Sequence, residues 1–499
     1  MRLRMRMELE LFSEAELEKM LQDALKVWRE VPFRVQGTEE FFDYLIDYGC
    51  TVDGELVRFP QVVVDKVMGR IAERKQQWLE RGGDRDRWPP SGLEVFAHGQ
   101  GLHICDLETN ELRLATEADL VTWCHAVDAL GVEERAHPTF IPTDVPRGSA
   151  EFHAFATIIL NSRKPHRVSV YSVKMLPLFI EACRIAKGSM DAVKQTPEFA
   201  TRCWVNSPFM ITRENIEVAM EARRLLGTPI SFGHMPVAGA AVPITVAGAL
   251  VQNTAESLAL SAMQLAIDDT THAITGTSAT IDMRDLCHRP AGPDMFLHQL
   301  AGSEMHAYLF GGKAAASFRS VSAQTVSPQS MSEKMLHAAF GIASGLRKIG
   351  IGCLGVSDLG SPVQLVLDFE MVRFFNEMFR DVSTDEAHIG LETILQTAPR
   401  GAYFMETEHT ARFFREECWL AAFSDYRPPS AWMQSPTDMV DRARDRAREL
   451  FGTAENQCPL SEDEQRQVRE LIAEADALAG GQLTQTADTL AASAQAGGT

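Results

Sequence analysis

From residue 229 to residue 255 the chain reads PISFGHMPVAGAAVPITVAGALVQNTA, without a single Asp, Glu, Lys or Arg. A membrane span needs about 20 apolar residues, so the length would suit one. The composition opposes it. Pro229, Pro236 and Pro243 each remove a backbone donor, and Gly233, Gly239 and Gly248 loosen a helix. A buried strand over residues 230–235, a tight loop of Gly, Ala and Pro, and a buried helix from Ile244 satisfy both facts. Small residues in such a loop admit close approach to the backbone. The run is therefore read as the edge of a ligand site, with a plain buried turn in a large core as the alternative.

The run stands out because the remainder is charged. The 499 residues carry 48 Lys and Arg against 68 Asp and Glu, a formal net charge of −20. Nucleic acid needs Lys and Arg to neutralise phosphates, so it is excluded as a partner class, and an anionic membrane surface with it. Acidity favours solubility and steers cationic partners. Apolar content of 45% and charged content of 23% are those of an ordinary globular protein. The length suits two or three average domains, or one large barrel with additions. Nine dispersed cysteines without a C-x-x-C pair predict reduced thiols and a cytoplasmic location, not a disulfide framework or a zinc site. The basic start, MRLRMRM, lacks the apolar core of a signal peptide.

Periodicity divides the chain into three parts: an α-rich module over residues 1–90, a β/α region over 91–433, and C-terminal helices with a disordered tail over 434–499. In the first, Ser13 and Glu16 form a capping-box pattern before a helix over 13–30. Further helices are expected over 41–48, closed by Gly49, and from Pro60 to Trp78. Residues 82–90 read as a linker. Residues 93–97, 101–106 and 112–114 alternate like hairpin strands. Strands at 138–141, 166–171, 202–206, 230–235, 271–275, 307–310 and 349–354 then alternate with helices at 116–129, 149–160, 173–185, 213–226, 244–266, 293–305, 330–346 and 362–379. Roughly seven or eight βα units point to an α/β protein, a TIM (β/α)8 barrel with an N-terminal α-rich extension and C-terminal helices. No G-x-G-x-x-G follows the first strand, which weakens a dinucleotide-binding alternative. Residues 385–433 add helices, with a short strand and turn near PRGAYFMETEHT.

A barrel places its site at the C-terminal ends of the strands. Those ends carry Tyr171, Asn206, Phe209, Phe232, His234, Tyr308 and Phe310 as candidate substrate-binding residues, with Ser172, Met235, Thr275, Cys353 and Asp358 near them. The set is aromatic and poor in charge. It holds no carboxylate pair for glycoside hydrolysis, no strand-ending Lys for a Schiff base, no metal-ligand cluster and no G-x-S-x-G. No catalytic side chain and no metal are assigned. An aromatic mouth suits an apolar or cationic ligand, a quaternary ammonium above all. Each residue also has a structural reading: the phenylalanines as core, His234 as a satisfied imidazole, Asn206 and Asp282 as turn caps. Asp385 and His388 approach the D-x-H-x-x-G cobalamin loop, but the spacing differs and reads as a helix start.

The segment PVAGAAVPITVAGALVQNTAESLA, from Pro236, resembles the trimethylamine methyltransferase family in its small-residue loop, its Pro-Ile-Thr and its Ala-Glu pair. EKMLQDALKVWREVPFRV, CTVDGELVRFPQVVVDKVM, GLHICDLETNELRLATEADL, IPTDVP, SRKPHRVSV, VLDFEM and EHTARFFREECW extend the resemblance in order, over roughly residues 15–450. Residues 321–331 depart from the pattern. The resemblance implies a TIM barrel that moves a methyl group from an amine to a corrinoid (cobalamin) carried by a separate protein, and a homo-oligomer. Every position is a standard residue, so the chain is similar to the branch without pyrrolysine, which includes glycine betaine:corrinoid methyltransferases. The pyrrolysine equivalent is expected near residues 352–355.

That chemistry suits a sparse site. A quaternary ammonium leaves as a neutral tertiary amine and needs no general acid, while the corrinoid's cobalt(I) is itself the nucleophile. The protein then has to align one N–CH3 bond and exclude water. Gly239, Thr245, Gly276 and Gly352 are the candidate cofactor-facing positions, and His234 and Asn206 the candidate donors to a betaine carboxylate. Two alternatives remain: a non-catalytic quaternary-ammonium-binding protein, or a barrel enzyme of the same family with a different methyl donor.

Overall fold

The computed structural model describes residues 10–82, 92–97, 99–131, 139–163, 168–312, 320–344 and 346–480. The N-terminal part forms as its sequence directs. The Ser13 hydroxyl takes the Glu16 amide, the Glu16 carboxylate takes the Ser13 amide, and helix α1 (Glu14–Glu30) begins there. Strand β1 (Phe33–Val35) leads to α2 (Glu39–Tyr48), capped by Thr38 and ended by left-handed Gly49. The hairpin β2 (Thr51–Asp53) and β3 (Leu56–Arg58) precedes α3 (Gln61–Glu80). Most of the expected linker lies outside the described residues.

A mixed α/β region follows. It comprises β4 (Glu94–Ala97), β5 (His103–Cys105), β6 (Leu112–Leu114), α4 (Glu117–Ala129), α5 (Ala150–Asn161), β7 (Val168–Ser169), α6 (Leu176–Lys187), α7 (Met190–Gln195), β8 (Phe199–Ala200), β9 (Cys203–Asn206), β10 (Met210–Ile211) and α8 (Arg213–Leu226). It continues through β11 (Phe232–Gly233), β12 (Val237–Ala238), α9 (Val246–Asp268), β13 (Ala279–Ile281), β14 (His288–Arg289), α10 (Pro293–Phe310), α11 (Pro328–Ala343), β15 (Lys348–Ile351), β16 (Cys353–Leu354), β17 (Leu359–Gly360) and α12 (Pro362–Met378). The helices after it are α13 (Glu386–Ile389), α14 (Leu391–Thr397), α15 (Glu408–Glu417), α16 (Pro429–Trp432), α17 (Met439–Thr453) and α18 (Glu462–Leu478).

The described strands fall into several small sheets, without one continuous closed ladder. Parallel pairs join β7 to β8, β9 to β11, β12 to β13 and β5 to β17. β15 runs parallel beside β4, Lys348 to Ile351 against Glu94 to Ala97, so the late strand returns to the first. That pairing corrects the expected hairpin of residues 93–97 with 101–106. Val95, Phe96 and Ala97 are all buried, as in a strand covered on both faces. The hairpin partners are β5 and β6 instead.

Three further expectations are corrected. Residues 307–310 are not a strand but the last turn of α10, because nothing breaks that helix before Gly311, whose φ is 95°. The expected strand over 271–275 has no ladder; side chains of two helices meet its backbone. Asn253 donates to the Thr275 carbonyl, Ser261 accepts from the His272 amide, and Nδ1 of His306 accepts from the Ile274 amide. The strand near PRGAYFMETEHT is two 3-10 turns, Ala398–Arg400 and Phe404–Glu406.

The N-terminal helices share a core with the α/β region. β1 lies parallel beside β10, in a sheet of order β11-β9-β10-β1-β3-β2. Leu17, Trp28, Phe41 and Ile71 pack with Phe232, Leu258 and Met305. α9 packs against α1, α2, α3 and α10, and its Glu256 meets Ser207 and His234, which follow β9 and β11. This burial accounts for the part of the uncharged run inside α9, at Ala249, Leu250 and residues 253–255, but not for the loop before it, where residues 239–240 and 243–245 are exposed. An unpartnered charge at those buried α9 positions would be desolvated. α18 returns to pack on α5 and α6, where Asp476 takes the Ser149 hydroxyl at 2.6 Å and Nε2 of His153 at 2.9 Å.

Candidate functional site

The charge-free run ends at Glu256, and the site is built around that carboxylate. Glu256 is on the inward face of α9 and is wholly buried. Oε2 takes the Ser207 hydroxyl at 2.6 Å and lies 2.8 Å from Nε2 of His234; Oε1 takes the Gln252 amide at 2.8 Å. Ser207 follows β9 and His234 follows β11, so the carboxylate joins the ends of two neighbouring parallel strands. Gln252 also donates to the Ala241 carbonyl at 2.9 Å, which ties the loop over residues 234–245 to α9.

This is not a hydrolase triad. There the serine meets one imidazole nitrogen and the carboxylate the other. Here both meet Nε2 of His234, and Ser207 donates to the carboxylate.

Other buried polar atoms lie beside the carboxylate. His272 stands with its ring 6.0 Å from that of His234. Burial, then the neighbouring His234, Arg202 and His306, push its pKa down to about 3. Burial pushes His306 down to about 4. Both rings are therefore neutral near pH 7. Nδ1 of His234, Oδ1 of Asn253 and the hydroxyls of Thr275 and Thr277 are buried and have no hydrogen-bond partner among the described residues. Such atoms cost about 1–3 kcal/mol each when nothing meets them. They are adjacent, since Asn253 bonds to Thr275 and Ser278 donates to the Pro236 carbonyl. The arrangement is suited to holding a small polar ligand beside a fixed carboxylate.

Of the expected substrate residues, the structure brings Asn206 and His234 to this place. Asn206 ends β9 and is exposed, next to Ser207. Phe232 precedes His234 but is buried in the core with Ile230 and Leu258. Phe209 packs edge-on against Phe33, 5.7 Å away, in the N-terminal core. Tyr308 turns to α1, where its hydroxyl donates to Glu18; that bond pushes the phenol up to about 12. Phe310 stacks on His306 at 4.7 Å. Tyr171 is exposed beyond β7. No aromatic contact joins these rings to one another among the described residues.

The cofactor-facing candidates divide likewise. Gly239, with φ 87°, and Thr245 lie exposed on the uncharged loop. Gly276 faces α10 in a close backbone contact, where a Cβ would meet the His298 carbonyl and Gln299. Gly352, with φ 89°, packs on Trp123 and donates its amide to Asp368 at 3.0 Å. Asp282 holds Arg284 in a turn, and Asp385 caps α13 by accepting the His388 amide.

Sequence reading missed Glu256, Ser207 and Gln252. The signal was present: Glu256 is the first charge after the run, and it lies four residues beyond Gln252 on one helix face. It also missed a second buried group. Lys334 on α11 pairs with Asp368 on α12 at 2.9 Å, and Gln364 and the Gly352 amide bond to the same carboxylate. Gly350, Gly352 and Gly355 there match G-x-G-x-x-G spacing. They lead through β16 into a short 3-10 turn, Gly355–Ser357, before β17, and not into the N-terminus of an α-helix of the kind that binds phosphate.

The family profile described as trimethylamine methyltransferase (MTTB) matches residues 2–480. This chain belongs to the trimethylamine methyltransferase family. Trimethylamine methyltransferase MttB of Desulfitobacterium hafniense (strain DSM 10664 / DCB-2) is 23% identical over 434 residues, covering 82% of this chain and 85% of its own. The MttB of Methanosarcina thermophila is 21% identical over 420 residues, covering 81% and 84%. Glycine betaine methyltransferase of D. hafniense (strain Y51) is 23% identical over 313 residues, covering 62% and 65%. Among the described residues no helix is long and apolar enough to cross a membrane. No group of three or more His, Cys, Asp or Glu suited to a metal ion occurs among them either.

Proposed function

We propose that this member of the family transfers a methyl group from a quaternary or tertiary amine, such as a betaine, to the corrinoid of a separate protein. The site is the buried Glu256 with Ser207, His234, Gln252 and Asn206 around it. The carrying observation is one fully buried carboxylate, fixed on both oxygens, with unpartnered polar atoms beside it. A cation placed next to such a carboxylate gains from the low dielectric around the pair. As the methyl group leaves a quaternary nitrogen, or a tertiary amine bound in its protonated form, the nitrogen loses its charge and a neutral amine departs, so this attraction falls in the transition state. Acceleration then rests on alignment and on exclusion of water. His234 and Asn206 are the candidate donors to a betaine carboxylate. Phe232 backs His234 and is proposed to shape the pocket wall; Tyr171, Phe209, Tyr308 and Phe310 are assigned weaker roles, because each packs elsewhere or is remote from Glu256 in contact terms.

The uncharged loop over residues 235–245 is proposed to face the corrinoid. Met235, Ala240, Ile244 and Thr245 are exposed there, and the loop carries no charge. Bound on its partner, the corrinoid supplies the cobalt(I) nucleophile. Gly239 and Thr245 are proposed to face it; Gly276 and Gly352 shape the walls behind. A (β/α)8 barrel is the arrangement we infer for the α/β region, supported by the return of β15 to β4. Residues 1–90, 91–433 and 434–499 are the proposed parts, in a cytoplasmic protein.

The test incubates the purified chain with reduced cobalamin and a panel of glycine betaine, carnitine, choline and trimethylamine. Methylated cobalamin with stoichiometric demethylated amine is expected from one of them. Binding detected by thermal shift without turnover, also with a corrinoid protein added, would sink the reading and favour a binding protein.

A further inference from the structure

We infer that Arg202, with the indole N–H of Trp204, forms an anion subsite that takes a carboxylate carried by the substrate. The inference rests on the proposed function for the amine end of that substrate and assigns the group that holds its other end.

The sheet decides which way these side chains point. β9 and β11 run parallel, with Cys203 beside Phe232 and Trp204 beside Gly233. Successive side chains along a strand take opposite faces. Cys203, Val205 and Phe232 enter the core with Ile216 of α8 and Leu258 of α9. Arg202, Trp204 and Gly233 therefore share the other face. Helices ring a (β/α)8 barrel on the outside, so in the arrangement inferred above this face is the inner one. The contacts agree: a Cβ on Gly233 would collide with the Trp204 ring and lie 2.8 Å from Cδ of Arg202. The Arg202 side chain thus runs forward from the start of β9 to the level of Gly233, immediately before His234. Its guanidinium lies 5.9 Å from the centre of the Trp204 ring. Its charge is among the causes that depress His272, whose ring is 6.0 Å from that of His234. The guanidinium therefore stands beside the proposed site.

The surroundings of Arg202 call for an anion. It is accessible to solvent, yet burial by the surrounding protein lowers its pKa, and no carboxylate among the described residues offsets that. A group both accessible and enclosed lines a concave space. Other partly enclosed arginines are paired, Arg113 with Asp119 at 2.7 Å and Arg223 with Asp268 at 2.8 Å. In a chain with 48 basic against 68 acidic side chains, an enclosed guanidinium without a carboxylate is the exception. Nε1 of Trp204 is buried on the same face and has no hydrogen-bond partner among the described residues, which supplies a second donor. A planar guanidinium meets a carboxylate by two parallel hydrogen bonds. A free sulfate or phosphate shares that geometry, but the buried Glu256 disfavours an anion that carries no cation of its own. A zwitterion satisfies both ends, its amine toward Glu256 and its carboxylate on Arg202.

Titration calorimetry on the full chain with glycine betaine, carnitine, choline and sodium sulfate reads this without turnover. The wild type is expected to bind at least one of the two zwitterions about tenfold or more tightly than choline, the scale of hydrogen bonds to a charged group. Arg202→Met, which keeps the apolar stem over Trp204, is expected to lose that preference while binding choline no more weakly. Arg202→Lys should keep part of it, as a point charge without the fork. An unchanged melting temperature shows that each variant is folded. A wild type that binds neither zwitterion, that prefers choline, or that takes sulfate as tightly as the zwitterions overturns the subsite, and so does an undiminished preference in Arg202→Met. Preference lost in that variant, with no methylated cobalamin from the wild type, sinks the proposed function and leaves the subsite standing. Methyl transfer from a zwitterion that Arg202→Met leaves untouched does the reverse.

Discussion

Nε2 of His234 stands 2.8 Å from Oε2 of Glu256, and the Ser207 hydroxyl reaches the same oxygen at 2.6 Å. Three donors converge on one buried carboxylate, so the group cannot be exchanged for its amide without turning a donor toward donors. Glu256→Gln is expected to lower kcat/KM at least about 100-fold, or about 2.7 kcal/mol, while the fold is retained. Steady-state kinetics with the amine that turns over decide it. Activity within threefold of wild type would remove Glu256 from the reaction.

Gly276 and Gly302 meet backbone to backbone. A Cβ on Gly302 would fall on the Gly276 amide nitrogen, and one on Gly276 would fall on the His298 carbonyl. Gly302→Ala should therefore push α10 off the 271–277 segment and cost about 1–3 kcal/mol by overpacking. Urea denaturation measures it; an unchanged midpoint would show that α10 can shift freely.

These two sites illustrate what the sequence disclosed. The capping box at Ser13, the glycine after α2 and the exact span of α8 follow from local chemistry, and the residues for them are adjacent in the chain. β4 could not be paired correctly by alternation, because its partner β15 is some 250 residues away and both are buried on both faces. The segment 271–275 reads as a strand because its residues suit one, yet helix side chains take its backbone groups. The same limit applies to the site. His234 was legible from the uncharged run around it, but the aromatic positions were placed on strand ends by assuming register. Tyr308 and Phe310 belong to a helix and Phe209 to the N-terminal core, where ring packing decides their direction.

The depressed histidines set a pH dependence. Burial pushes His272, His306 and His337 down to about 3, 4 and 4 in the folded protein against about 6.5 unfolded, and lowers His298 as well. Between pH 6.5 and 4 the unfolded chain binds more protons, so stability rises with pH there. Their contribution is complete above about pH 6.5 and is lost as pH falls toward 4, by up to roughly 1.4 kcal/mol per pH unit for each ring. His388, raised chiefly by its bond to Asp385, acts in the opposite sense. Denaturation midpoints from pH 7 to 4.5 should fall, and His306→Gln should flatten the slope. An unaltered slope in that variant would exclude His306 as a contributor.

Lys334 and Asp368 are both buried and 2.9 Å apart, and Asp368 also holds the Gly352 amide and the Gln364 side chain. Removing one partner leaves the other charge buried and uncompensated, which costs about 3–5 kcal/mol, whereas an apolar replacement of both can be neutral. Lys334→Met and Asp368→Leu should each be strongly destabilised in urea. The double variant should recover much of the loss, less the bonds that Asp368 makes to Gly352 and Gln364. A coupling energy near zero in this cycle would mean that the pair is not an energetic unit and that Asp368 acts on the strand end alone. A large coupling, together with a lower melting point for Gln364→Leu, would assign the cluster to holding the end of β15 in place. In the proposed function that strand end borders the pocket, so the single variants should also raise KM for the amine before they lower kcat.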